Sequence, residues 1–191
     1  MVRIVGVGGV PGTGKTHLAF ELLDKIRGPF YYCQVNGVVY LHSDAFRLSV
    51  LGRYNLQQRG GFQGTDRMSM SIQPQVLQLV RVLARDANWH NVFFEGDRLF
   101  NETFIRVVRS LHDTISRFFV LVVTPEVLEQ RRQARGGHQA PAFLKGRSTK
   151  YQRLVNAGFA STRPHQEKIH TEVLLTEIAR FFDGKDTLAI P

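Results

Sequence analysis

The sequence predicts an open, mostly parallel α/β sheet with helices on both faces, and three observations carry that expectation. Residues Gly9-Val10-Pro11-Gly12-Thr13-Gly14-Lys15-Thr16 complete the phosphate-loop pattern G-x-x-x-x-G-K-[ST]. The loop sits between a short apolar β-branched run, Arg3-Ile4-Val5-Gly6-Val7, and a helical repeat, Leu18, Leu22 and Ile26, that Gly28-Pro29 stops. Further apolar runs then alternate with helical periodicities down the chain, the pattern of a layered α/β sheet.

The strand–loop–helix setting turns a string match into a mechanism. Backbone N–H groups of such a loop and of the helix behind it converge on phosphate oxygens. Gly9, Pro11, Gly12, Thr13 and Gly14 are the candidate cradle, Lys15 the group that reaches the β- and γ-phosphates, and the Thr16 hydroxyl a ligand for Mg²⁺. The competing reading, a dinucleotide-binding turn, requires G-x-G-x-x-G. Counting from Gly6 and Gly8, its third glycine falls on Pro11.

After the first helix the pattern turns to strands. Phe30–Val35 and Val38–Leu41 flank Asn36-Gly37, a strong two-residue hairpin signal. Phe46–Tyr54 extends them into a β meander, read as an insertion (30–54) within a single domain spanning 1–191. A glycine-rich loop, Arg59–Arg67, follows. A helix is expected from about Pro74 with Val76, Leu77, Val80 and Leu83 on one side, then a buried strand Asn91–Glu95 and a helix Thr103–Leu111. Arg117–Val123 reads as another core strand, and Pro125 suits the first turn of a helix running towards Arg135. Helices near Thr149–Ala157 and Pro164–Phe182 close the chain.

Composition narrows the class. The 191 residues carry 43% hydrophobic content, enough for a full core, and no apolar run long enough to span a bilayer. The loop strand begins at residue 3, which leaves no room for a leader peptide in this sequence, and the single Cys33 excludes an intrachain disulfide; both point to the cytoplasm. No histidine or cysteine spacing suggests structural zinc. The charge is more informative: 25 Lys+Arg, 19 of them arginine, against 16 Asp+Glu give +9. Between Gln130 and Gln166 there is no acid at all. That stretch (basic segment 131–150) is a lid over nucleotide phosphates, a groove for a polyanion, or a solvated basic face.

Phosphoryl chemistry needs charge neutralisation and an acceptor for the proton of the attacking hydroxyl. Glu95 and Asp97, at the C-terminal end of an apolar strand, are candidates for the metal shell or the base, with Arg98 a phosphate clamp. Asp66 is either an acceptor-binding acid or a turn aspartate, and Asp44 reads better as a turn. Arg131 and Arg135 share a helix face with Arg132 beside them: a nucleotide lid, or a ladder with Glu126 and Glu129. Tyr31, Tyr32, Tyr54 and Phe62 lie near arginines, where base stacking and half-buried strand packing compete.

Gly9–Thr16, Gly64–Met70, Glu95–Asn101 and Lys145–Lys150 together resemble a group of small bacteriophage P-loop kinases that includes the 5-hydroxymethyluracil DNA kinases. The resemblance covers most of the chain. It implies a P-loop kinase-like sheet, ATP with Mg²⁺, and phosphorylation of the hydroxymethyl group of 5-hydroxymethyluracil in DNA. It places Asp66 and Arg67 at the acceptor site, and Glu95, Asp97 and Arg98 at the metal and phosphate site. Lys145, Arg147 and Lys150 fall in the lid or the DNA contact. The alternatives are a free nucleoside or nucleotide kinase, and a DNA-binding P-loop NTPase that transfers phosphate to nothing.

Overall fold

The computed structural model of the chain describes residues 1–26, 28–59, 63–86, 88–134, 136 and 140–184. Its centre is a seven-stranded sheet in the order β2-β3-β4-β5-β1-β6-β7. In chain order these are β1 (Val2–Gly8), β2 (Tyr31–Val35), β3 (Val38–Ser43), β4 (Leu48–Leu51), β5 (His90–Glu95), β6 (Thr114–Val122) and β7 (Ser161–Pro164). From β4 to β7 every pairing is parallel, with Val7 opposite Glu95 and Phe119. The β2–β3–β4 pairings are antiparallel, so the hairpin and meander form one edge of the same sheet.

Alternation along the strands divides the core. Val2, Ile4, Phe94, Phe118 and Val120 face one layer, against α2 (Gln73–Arg85), α3 (Glu102–Ser110) and α5 (Pro141–Asn156). Val5, Val7, Phe93, Phe119 and Leu121 face the other, against α1 (Lys15–Lys25) and α6 (Lys168–Phe182). Phe93 and Phe94 are both fully buried, one on each face. Each such ring contributes roughly 1.5–3 kcal/mol through burial, which is why a doubly covered central strand reads as a continuous apolar run.

Three elements differ from the periodicity reading. The third strand of the meander is only Leu48–Leu51, because the backbone turns at Gly52 and makes an isolated antiparallel bridge between Arg53 and Gly64. Helix α5 starts at Pro141 rather than near Thr149, so the basic stretch Lys145–Lys150 is helical and continuous with buried Tyr151 and Leu154. Pro164 ends the edge strand β7 instead of opening the last helix. A proline is tolerated at a sheet edge because no ladder partner needs its missing N–H. The remaining short helix, α4 (Pro125–Gln133), begins at the proline expected there, with Thr124 as its cap.

Candidate active site

The loop Gly9–Thr16 joins β1 to α1 at the carboxyl end of the sheet, where ligands bind in open α/β folds. Thr13 closes the loop internally, its N–H and hydroxyl both donating to Val10 O at 3.2 and 2.9 Å. Lys15 Nζ donates to Gly9 O at 2.8 Å and Val10 O at 3.4 Å, which holds the ammonium at the loop. Gly14 caps α1 at φ 93°, and a Cβ there would stand 2.7 Å from His165 Nδ1. Only glycine satisfies both constraints.

Two acids arrive from opposite directions. Glu95, at the last position of β5, is 2% exposed and its Oε1 accepts from the Thr16 hydroxyl at 3.3 Å and from Tyr54 OH at 3.5 Å. Burial pushes its pKa up to about 7; Lys15 opposes that rise and Asp66 adds to it. Asp66 belongs to a single turn, Thr65–Arg67. Its Oδ1 accepts from the N–H groups of Asp97 (2.9 Å) and Arg98 (3.3 Å), while the Thr65 hydroxyl donates to Glu95 O. Gly96, at φ 106°, makes this possible: a Cβ there would lie 2.8 Å from Thr65 Oγ1 and 2.9 Å from Asp66 Oδ1.

Asp97 faces the helix on the far side. Its Oδ1 meets Lys150 Nζ at 2.9 Å and the Tyr151 hydroxyl, and its Oδ2 meets Arg147 at 3.2 Å. Burial pushes this carboxyl up, but Lys150, the Tyr151 hydroxyl and Arg147 outweigh it and hold the pKa below the ordinary carboxylate value. The acid-free stretch thus finds its counter-charge in β5's turn, with both oxygens of Asp97 committed to α5. Lys145, one turn earlier, is exposed. Arg98 turns back to Met68 O at 3.2 Å, and Arg67 is exposed beside Asp66.

Arg131 reaches the loop from α4. Its guanidinium donates to Gly12 O, Thr13 O, His165 O and Gln166 O at 3.1–3.5 Å, so it braces the loop's outer carbonyls. Arg132 packs its Cγ 3.6 Å from the point where a Cβ on Gly12 would lie. Arg135, Phe62, Gly60 and Gly61 lie outside the described residues. Tyr54 is buried at 3% exposure against Phe20 and Glu95, so of its two sequence readings the packing one holds; Tyr31 and Tyr32 are exposed on the edge strand β2. Sequence reasoning missed His165, Tyr151 and Thr65, whose contacts span 30 to 152 residues. No local pattern announces such pairs.

The residues fit a magnesium–nucleotide. The glycine loop leaves no room for side chains in its cradle, and Thr16 with Glu95 supplies two adjacent hard oxygen donors, the partial set that Mg²⁺ uses alongside substrate phosphates. Among the described residues no three His, Cys, Asp or Glu side chains group as a metal cage, and no helix is long and apolar enough to cross a membrane.

No protein-family model matches the chain, and no curated protein does. Solved structures do. A sugar kinase from Janibacter sp. HTCC2649 superposes with a TM-score of 0.54 at 19% identity, over 96% of this chain and 95% of that one. A gluconokinase from Sinorhizobium meliloti 1021 gives 0.50 at 16% identity over the same shares. The chain shares its overall fold with these two kinases. At these identities the likeness speaks for the fold, and the chemistry has to be argued from the site.

Proposed function

We propose that the protein is a phosphotransferase that moves the γ-phosphoryl group of a magnesium-bound nucleoside triphosphate, ATP in the simplest case, to the hydroxyl of a free small-molecule acceptor. The observation that carries this reading is the convergence of Lys15, Thr16, Glu95 and Asp66 at one end of the sheet. A simple nucleotide switch has no need of a second acid beyond the metal-side carboxylate.

In this reading the loop amides and Lys15 bind and orient the triphosphate. Thr16 and Glu95 would hold the metal, which would supply charge neutralisation to the triphosphate. Asp66, whose Oδ1 is fixed by the amides of Asp97 and Arg98, turns Oδ2 to the acceptor and takes its proton as the acceptor oxygen bonds to phosphorus and the bond to the β-phosphate oxygen breaks. Arg98 and exposed Arg67 border the acceptor side. The α5 helix, held by Asp97, closes the cleft behind it.

A second reading keeps the acceptor hydroxyl on 5-hydroxymethyluracil within DNA. What favours it is the +9 charge, with Lys145 and Arg67 exposed near the cleft, together with the resemblance described above. Labelled-ATP transfer with sugars and polyols, free nucleosides, ordinary DNA and hydroxymethyluracil DNA side by side decides between them. Label on a free acceptor is the expected result. Label on hydroxymethyluracil DNA alone makes the second reading correct, and ATP turnover with no labelled acceptor overturns both.

A further inference from the structure

We propose that His165 is a positioning residue of the phosphate loop: its Nδ1–H holds the Thr13 carbonyl outward and thereby aims the Gly14 N–H at the bound phosphate. The proposal rests on the nucleotide-binding reading above and adds to it a residue far from any motif.

His165 follows β7 directly, and its own N–H donates to Val122 O at 2.9 Å, which continues the β6–β7 pairing by one residue. The side chain is 2% exposed. Its Nδ1 lies 2.9 Å from Thr13 O, and its Nε2 lies 3.1 Å from Thr171 Oγ1 on α6. A carbonyl oxygen only accepts, so Nδ1 carries the proton. The Nε2 lone pair is then free to accept from the Thr171 hydroxyl, and a neutral ring in the Nδ1–H tautomer meets both bonds.

Burial lowers the pKa of the ring, and Arg131 from α4, His17 from α1 and His170 from α6 all oppose a further positive charge. The bond to the Thr13 carbonyl favours the charged ring, but the other influences outweigh it. The ring centroids of His17 and His165 are 6.3 Å apart. Arg131 donates to the same Thr13 carbonyl at 3.4 Å and to His165 O at 3.1 Å.

The consequence follows from peptide geometry. In a planar trans peptide the N–H points opposite to the C=O. Two donors pinning Thr13 O against His165 and Arg131 therefore turn the Gly14 N–H the other way, towards the side where a loop of this kind gathers phosphate oxygens. The missing Cβ of Gly14 is what lets the imidazole approach this closely. A histidine that merely filled the space between β7 and α6 would need neither a fixed tautomer nor a donor directed at the loop.

Two variants separate positioning from filling. His165→Asn places an amide N–H close to where Nδ1–H stands, whereas His165→Leu keeps the bulk and removes the donor. Binding of Mg-ATP by calorimetry, with KM for ATP and for the acceptor, is expected to show affinity for ATP lower by roughly tenfold in the leucine variant. Most of that loss should be recovered in the asparagine variant, with the acceptor KM unchanged. Nitrogen-15 NMR of the wild-type imidazole, which needs no variant to fold, should show the neutral Nδ1–H tautomer at pH 7. Leucine binding ATP as well as wild type, asparagine binding no better than leucine, or an Nε2–H or doubly protonated ring would each overturn the proposal. Wild type that binds no Mg-ATP would instead overturn the functional reading beneath it, and the proposal with it.

Discussion

Within the loop Gly9–Thr16 the bonds that close the turn are local: Thr13 to Val10, Lys15 to Gly9, the Leu18 amide to Gly14 O. Across the cleft the opposite holds. Asp66 meets Asp97 over 31 residues, Lys150 meets Asp97 over 53, and Thr16 meets Glu95 over 79. The loop side is made mainly of backbone groups that a short motif brings together, with Arg131 and His165 bracing them from outside. The facing side is made of side chains from four elements, and it exists only once the sheet has brought β1 beside β5. A motif therefore identifies one end of such a cleft, whereas the other end depends on tertiary packing.

Removing the loop's charge should impair ATP binding and transfer together. Lys15→Ala is expected to lower transfer on the order of a hundred-fold or more with an unchanged melting temperature, as measured by steady-state rates and calorimetric scanning. Near-normal rates would mean that the loop does not bind the donor. Asp66→Asn tests the facing side: Mg-ATP should still bind, while transfer falls by about 10²–10⁴ if Asp66 is the base. Equal losses in ATP affinity and rate would instead make Asp66 a structural anchor for the turn at Gly96.

Glu95 links the two sides and gives a signed pH test. Its pKa rises in the fold from the ordinary 4.5 to about 7, so the folded chain holds a proton that the unfolded chain has already released. Stability from this group is present below about pH 4.5 and is lost as pH climbs through 7. Urea unfolding without metal should therefore find Glu95→Gln more stable than wild type at pH 8, by at most about 3 kcal/mol, with the gap shrinking towards pH 5. The same variant should transfer phosphate poorly. A gap that does not change with pH would place the Glu95 carboxylate in a solvated environment.

A smaller effect is expected where α5 docks. Asp97→Asn removes the charge that Lys150 and Arg147 share, and should weaken the helix's attachment by about 1–2 kcal/mol, seen as faster hydrogen exchange confined to α5. Neutralising Lys145 should change least. If DNA is the acceptor, its loss flattens the slope of log affinity against log salt by roughly one unit; with a free acceptor it changes nothing measurable.

The sheet, its helices on both faces and the loop were legible in the sequence because each rests on a local signal: apolar runs such as Asn91–Glu95, the hairpin pair Asn36-Gly37, Pro125 at a helix start. The strand β7 was not, because four residues with an exposed, polar pattern become a strand only by pairing with β6. The start of α5 was hidden for a related reason. Its apolar first turn, Pro141–Leu144, is followed by a stretch from Lys145 to Lys150 with no apolar side chain, and the helix is held by Asp97 and by buried Tyr151 rather than by a periodic stripe. Of the candidate site, Lys15, Thr16, Glu95, Asp66 and Asp97 were visible as motif members. That Glu95 faces Thr16 while Asp97 faces α5 could not be read from residues two apart in sequence. Strand alternation is lost where the chain turns at Gly96, so their directions are set by that turn.

A magnesium titration of ATP binding separates the roles of the two acids. In wild type, Glu95→Gln and Asp97→Asn, affinity for ATP is measured by calorimetry as Mg²⁺ is raised. The account predicts that Glu95→Gln loses most of the metal-dependent gain in affinity, while Asp97→Asn keeps it. Loss of the metal dependence in Asp97→Asn with Glu95→Gln unaffected would contradict it, and would move the metal from the Thr16–Glu95 pair to the turn that faces α5.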